Sequence, residues 1–308
     1  MVFDISIIGV SYNQPKFCSQ TTWNTNGVTF ANNITVGAQP YSVFVDTNNT
    51  VYVTNRQALV VQIWSNGSVN PTRTLSDNLT YPRSVFSTVN GDVYVDSGDQ
   101  GRVVKWSLNS TRSVLVMNFS GLCFGLFIDI QYNLYCSVGF GSKVERISLN
   151  SSTKTVTTVA GNGINGSKPY LLNNPRGIFV DLNLNLYVAD STNGRIQLFR
   201  HGKTNATTVA GGTASKNFTL ITPHGVTLDG DGYLFIVDSG NSRIIRSGPN
   251  GFQCIVGCIG SGSSSNKLSF PQTMAFDSYG NIFVTDRDNN RVQKFLLATN
   301  FCGMYQNL

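Results

Sequence analysis

Three sets of residues in this 308-residue chain have the types and spacing to do chemistry. Residues 159–167 read VAGNGINGS, which contains Gly161-x-Gly163-x-x-Gly166, the spacing of a turn that cradles a dinucleotide phosphate. Asp190 and Arg195, Asp238 and Arg243, and Asp286 and Arg291 recur as acid–base pairs five residues apart. They could grip a charged ligand, or each carboxylate could tie down its own hairpin by charge-assisted hydrogen bonds. The third set is the imidazoles, of which there are two, His201 and His224. Zinc catalysis usually needs three protein ligands, so a histidine-based zinc centre is excluded. No G-x-S-x-G elbow is present, and no cysteine has a histidine near it in sequence to lower its pKa.

The elements around these residues decide between the readings. Six segments align, starting near Gln39, Tyr81, Leu122, Asn174, Thr222 and Phe270. A period of roughly 40 to 50 residues is that of a propeller blade. Each copy reads as three short apolar strands separated by turns rich in Asn, Asp, Ser and Gly, with no helical period. A fourth strand follows five copies, as in TVTTVA and ATTVA. The sixth lacks one, but residues 24–33, NTNGVTFANN, resemble KTNATTVAGG at 203–212. The N-terminal strand therefore completes the last blade and closes the ring, which removes exposed sheet edges. In this frame VAGNGINGS ends a fourth strand and leads to the next blade. A phosphate turn would have to enter a helix, so its glycines serve a tight connection instead.

Copies four to six carry P-x-G-[IV]-x-[VL]-D, then [LI]-[YF]-V-x-D-S-x-N-x-R-[IV], as in NPRGIFVDLNLNLYVADSTNGRI. This pattern resembles the NHL repeat. The resemblance implies an all-β, six-bladed β-propeller of four-stranded antiparallel blades, with residues 1–16 as an N-terminal extension and 17–308 as the propeller. The first three copies depart from the pattern: Asn55, Ser97 and Val138 stand where Asp190 stands, and Val60, Arg102 and Lys143 where Arg195 stands. NHL-type propellers are known as RNA- or protein-binding ends of ubiquitin ligases, as bacterial sensor ectodomains, and as relatives of a zinc amidating lyase. The resemblance thus implies a fold more sharply than an activity.

The residue after the strand-opening position is Tyr41, Arg83, Phe124, Arg176, His224 or Gln272. In a propeller the first strands surround the channel, so these six side chains should ring one mouth of it. Their identities vary on a constant frame, as expected of a scaffold carrying a site. The set suits a protein or peptide partner, or a small anionic or aromatic ligand. Loops at 191–194, 239–242 and 287–290 should add contacts. The first-strand acids Asp46, Asp129, Asp181, Asp229 and Asp277 stand at strand-to-turn ends, where Asp organises the turn. No cofactor is expected; Ca²⁺ would need acids that face the channel.

Six cysteines allow a disulfide framework. Cys254 and Cys258 flank a turn and could bridge locally, and a Cys18–Cys302 bond would lock the ring. Cys123 and Cys136 remain, a few residues out of hairpin register, either bridged or as buried thiols. N-x-S/T sequons begin at Asn33, Asn48, Asn66, Asn78, Asn109, Asn118, Asn150, Asn165, Asn205 and Asn217, all in expected loops. Together these features favour an extracellular or lumenal protein, although MVFDISIIGVSYN is a poor secretory signal. Net charge is +6 with no basic run, so nucleic acid is not an expected partner, and no apolar run is long enough to span a membrane. The expectation is a monomeric, non-enzymatic binding module. The alternatives are a metal-dependent hydrolase or lyase of the lactonase or amidating type, and an intracellular RNA-binding propeller.

Overall fold

The computed structural model describes residues 10–98, 101–212 and 218–300. They form six four-stranded antiparallel sheets around an axis. Blade 1 runs Pro40–Val45, Val51–Asn55, Val60–Trp64, Arg73–Leu75, and blade 2 runs Val85–Ser87, Val93–Ser97, Arg102–Trp106, Val114–Asn118. Blade 3 is Cys123–Ile128, Asn133–Val138, Lys143–Ser148, Thr157–Gly161, and blade 4 is Pro175–Val180, Leu186–Asp190, Arg195–Phe199, Thr207–Gly211. Blade 5 comprises Pro223–Leu228, Leu234–Asp238, Arg243–Gly248 and Gly251–Val256. Blade 6 takes Met274–Phe276, Ile282–Asp286 and Arg291–Phe295 from one end of the chain and Val28–Ala31 from the other.

Closure follows the repeat arithmetic. Val28 pairs with Lys294, Thr29 with Gln293 and Ala31 with Val292. A second clasp, Thr22–Trp23 against Leu297–Thr299, lies beside it, and Trp23 Nε1 donates to the Gly280 carbonyl at 2.8 Å. The departures from an all-strand reading are short 3-10 turns at Ser239–Asn241 and Arg287–Asn289 and a helical turn at Asn33–Val36. Asn32 caps it by accepting from the Ile34 and Thr35 amides, a local bond that needs no 3.6-residue pattern to form.

Each blade packs face to face on two neighbours, so its middle strands are covered on both sides. Val51–Asn55, Val93–Ser97 and Leu234–Asp238 are buried at every position. This is why these segments read as near-continuous apolar runs rather than alternating ones. Trp64, Trp106, Phe199, Phe235 and Phe295 fill the spaces between blades. Burial of each such side chain contributes about 1.5–3 kcal/mol or more.

The inner strands approach one another in two ways, and both set the spacing of the channel wall. In blades 3, 4 and 5 the x-Gly step puts backbone against backbone. A Cβ on Gly125 would stand 2.7 Å from the Arg176 carbonyl oxygen, and one on Gly177 would stand 2.3 Å from that of His224. Elsewhere a hydroxyl takes the glycine's place and bridges blades. Ser84 Oγ accepts from the Leu126 amide, and Thr273 Oγ1 accepts from the Val43 amide, both at 2.8 Å.

Cys123 and Cys136 form a disulfide across the blade 3 inner hairpin, with Cα atoms 5.3 Å apart. Their offset register, Cys123 to Val138 and Leu126 to Cys136, spans a bulge and leaves the pair diagonal. Cys254 and Cys258 bridge locally. Cys302 lies outside the described residues, so the expected Cys18–Cys302 bond does too.

Residues 10–16 lie against the ring. Tyr12 is buried at the channel mouth formed by the strand-end turns, its ring centroid 5.2 Å from that of Phe127 and 5.5 Å from that of Phe179. Asn13 Nδ2 donates to the carbonyls of Asp46 and Phe276, and Gln14 Nε2 to that of Leu228. The segment spans strand ends of several blades because its side chains satisfy their carbonyls and its own Ser11 and Pro15 carbonyls accept from the Thr47 and Gly230 amides. Residues 1–9 lie outside the described residues.

Candidate functional site

All six residues expected at the rim, Tyr41, Arg83, Phe124, Arg176, His224 and Gln272, line one cavity of about 320 Å³. It opens at the mouth opposite Tyr12. The P-x-G step carries these side chains to the axis, and the glycine and hydroxyl contacts fix how far apart they stand. Below lies a narrower, apolar cavity of about 110 Å³, walled by Phe44, Phe86, Phe127 and Phe179 and closed by Tyr12 and Asn13. The channel is therefore a blind well with a polar vestibule.

Phe124 organises the vestibule. The Arg176 guanidinium carbon lies 3.8 Å from its ring centroid and that of Arg83 lies 5.2 Å away, both within cation–π range. Arg176 Nη1 donates to the Tyr41 hydroxyl at 2.9 Å. Burial lowers the Arg176 pKa, and the nearby charges of Arg83 and Arg287 lower it further against the pull of Tyr41. Among the described residues no carboxylate pairs with Arg176, and its Nε is buried without a hydrogen bond.

His224 is buried, and burial with the Arg176 charge beside it pushes its pKa down to about 3. It is a neutral imidazole at physiological pH. Gln272 Nε2 donates to the Phe270 carbonyl, which turns Oε1 toward His224 Nδ1, 2.8 Å away. Nδ1 therefore carries the proton, and Nε2 keeps its lone pair.

Several vestibule residues carry no obvious sequence signal. Asn174, Thr222 and Phe270 precede the rim strands and also line the cavity. Their φ angles are 53°, 45° and 48°, a left-handed conformation costly for a non-glycine residue, above all for β-branched Thr222. Gln39 and Tyr81 share it at equivalent positions. The signal available was a recurring residue ahead of the strand-opening position, which reads only as loop. Asn174 Oδ1 and Thr222 Oγ1 are buried with no hydrogen bond within the protein. Arg56, Phe140 and Arg287 complete the wall from the loops between second and third strands. Of the three loops expected to contribute, those at 191–194 and 287–290 do so through Ser191, Thr192 and Arg287. The 239–242 loop does not line the cavity; Ser239 Oγ donates to the Pro271 carbonyl and braces the next blade.

The three Asp/Arg pairs stand outside the vestibule. Arg195 Nε donates to Asp190 Oδ2 at 2.7 Å, Arg243 to Asp238 at 2.9 Å and Arg291 to Asp286 at 2.7 Å. Each pair reaches beyond its own hairpin. The other carboxylate oxygen accepts from an amide of the incoming connection: Asn173, Ile221 or Ser269. Arg195 donates to the carbonyls of Ser167 and Leu171, and Asn193 to that of Gly166. The connection that follows Gly161 thus presents carbonyls, Gly166 to a side-chain amide and Ser167 and Leu171 to a guanidinium, the reverse of a phosphate cradle. Asn55 substitutes for the pair in blade 1, accepting from the Gln57 and Ala58 amides and donating to the Val36 carbonyl.

The five first-strand acids cap their own turns: Asp46 Oδ1 accepts from the amides of Asn48 and Thr50, and Asp277 Oδ1 from those of Tyr279 and Asn281. Among the described residues no three His, Cys, Asp or Glu side chains gather as metal ligands. Nine sequon asparagines, from Asn33 to Asn205, are exposed; Asn217 lies outside the described residues.

The NHL repeat family model matches residues 268–295, in the last blade. No curated protein sequence matches the chain. Among solved structures, a protein of unknown function from Bacteroides thetaiotaomicron superposes with a TM-score of 0.70 at 16% identity, over 91% of this chain and 77% of that one. An auxiliary nutrient binding protein from the same bacterium gives 0.67 at 14%, over 94% and 76%. A catalytically inactive histidine-to-alanine variant of virginiamycin B lyase from Staphylococcus aureus gives 0.62 at 13%, over 91% and 100%. At these identities the likeness is one of fold. The chain is a six-bladed β-propeller that carries an NHL repeat.

Proposed function

We propose that this propeller is a non-enzymatic binding module that takes an anionic ligand, a small molecule or a peptide carboxylate, in the vestibule. The architecture is shared by a protein described as binding nutrients and by a lyase, so fold alone does not choose between binding and catalysis. Arg176 carries the reading. A half-buried guanidinium held by a hydroxyl and an aromatic face, beside further arginines and without a carboxylate partner, is costly unless an anion completes it. The vestibule wall has four arginines and no Asp or Glu among the described residues. Two disulfides and nine exposed sequon asparagines support an extracellular or lumenal setting.

Titration calorimetry with 2-naphthoate and its uncharged analogue 2-naphthol tests this. Naphthoate should bind at least tenfold tighter, and Arg83→Ala/Arg176→Ala should abolish the difference without moving the melting temperature by more than a few degrees. Equal binding of both compounds, or an unaffected double variant, sinks the reading.

A further inference from the structure

We infer that the anion held in the vestibule is a polyhydroxylated carboxylic acid, an acidic sugar in chemical class. This rests on the anion reading above and adds the neutral half of the ligand. Of the four cations on the wall, Arg83 and Arg176 flank Phe124, while Arg287 lies over Phe270. Two other atoms call for a donor that an anion cannot provide, and a third, the Thr222 hydroxyl, also needs a partner. His224 Nε2 is a bare acceptor, because Gln272 fixes the proton on Nδ1. Asn174 Oδ1 is an acceptor, and Thr222 Oγ1 both accepts and donates; both are buried and unpartnered. A buried acceptor left without a donor is destabilising. A carboxylate has only acceptors to offer and can satisfy Thr222 Oγ1 alone, so Asn174 Oδ1 and His224 Nε2 call for a ligand that also presents donors, as hydroxyls do.

The left-handed backbone at Asn174 and Thr222 recurs at Gln39, Tyr81 and Phe270, so it belongs to the repeat, and at these two positions it brings the side chains to the cavity wall. Phe140, 72% exposed, stands edge-on to Phe124 with centroids 5.5 Å apart and offers an open aromatic face at the mouth. That face suits the C–H side of a pyranose ring. The volume of about 320 Å³ falls at the small end of ligand sites and suits one sugar ring rather than an extended chain.

The test compares three ligands of similar size: D-glucuronate, D-glucose, which lacks the charge, and cyclohexanecarboxylate, which lacks the hydroxyls. Glucuronate should bind at least tenfold tighter than either. Thr222→Val, which keeps the branched shape, should weaken glucuronate about tenfold and cyclohexanecarboxylate less than twofold. His224→Phe should act in the same direction and serves if the valine variant fails to fold. A glucuronate-terminated oligosaccharide separates the sources: tighter binding than the free acid assigns the site to glycan ends, and weaker binding to free acids. Equal affinity for glucuronate and cyclohexanecarboxylate, with both above glucose, overturns this inference and leaves the anion reading standing. If neither acid exceeds glucose and Arg176→Ala changes nothing, the anion reading itself falls.

Discussion

The two mouths of the channel are built from the same six strands and end in opposite chemistry. At one, Tyr12 packs among Phe86, Phe127 and Phe179, and Asn13 and Gln14 satisfy strand-end carbonyls. At the other, guanidiniums crowd an aromatic ring and buried oxygens go without partners. The first mouth is finished with the chain's own residues, as a core is finished. The second carries unmet electrostatic and hydrogen-bonding demand, which is what a binding surface looks like before it is occupied. A repeat scaffold can afford this division, because most of its stability resides in blade-to-blade packing distant from either mouth.

Removing the stopper should have the largest effect on stability. Tyr12→Ala deletes a buried aromatic and should cost about 3–5 kcal/mol in urea unfolding, with anion affinity at the other mouth changed less than twofold. Equal loss of affinity would show that the two mouths are coupled. Gly177→Ala strikes the wall between them. Its Cβ would meet the His224 carbonyl at 2.3 Å, so it should cost about 1–3 kcal/mol and also displace the rim, weakening binding. Arg176→Met should separate the mouths most cleanly: stability within about 1 kcal/mol of the parent, since an unpaired buried charge is removed, and anion binding reduced at least tenfold.

The smallest effect concerns pH. Asp96 accepts from the Arg83 and Ser84 amides just behind the rim, and burial lifts its pKa to about 7 against those bonds. Its folded value stands above its unfolded one, so the folded state holds the proton more tightly. Stability from this group is full below about pH 4 and is lost as pH rises toward 7. Asp229, raised to about 6 mainly by burial, slopes the same way. Asp96→Asn keeps an oxygen for both amides and should flatten the upper part of the slope, leaving the Asp229 part. A melting-temperature series from pH 4 to 8 reads this directly; an unchanged slope would mean Asp96 titrates normally.

Much of the wall was legible before any coordinates, because blade periodicity fixes which residue of each copy meets the axis. Tyr41 and Gln272 share no chemistry, yet their place in the repeat sends both to one cavity. The ring closure was legible for the same reason. Two kinds of residue escaped, one outside the repeat and one at the head of its copies. Tyr12 belongs to no copy, so it read as part of an extension, although burial among three phenylalanines makes it part of the well. Thr222 and Asn174 were hidden because left-handed backbone, which aims them inward, is a propensity for glycine rather than for threonine. The arginines of the Asp/Arg pairs reach connections about 24–28 residues upstream, beyond what a hairpin motif conveys.

The velcro of the sixth sheet has a consequence for synthesis. Thr29 meets Gln293 across 264 residues of chain. At ribosomal rates of roughly 5–20 residues per second, the first-made strand waits on the order of tens of seconds for its partner. Throughout that interval Val43, Val53 and Trp64, which Phe283 and Val292 later cover, face solvent or a chaperone. Nascent chains of this protein are therefore most exposed to misassembly at the seam where their two ends will meet.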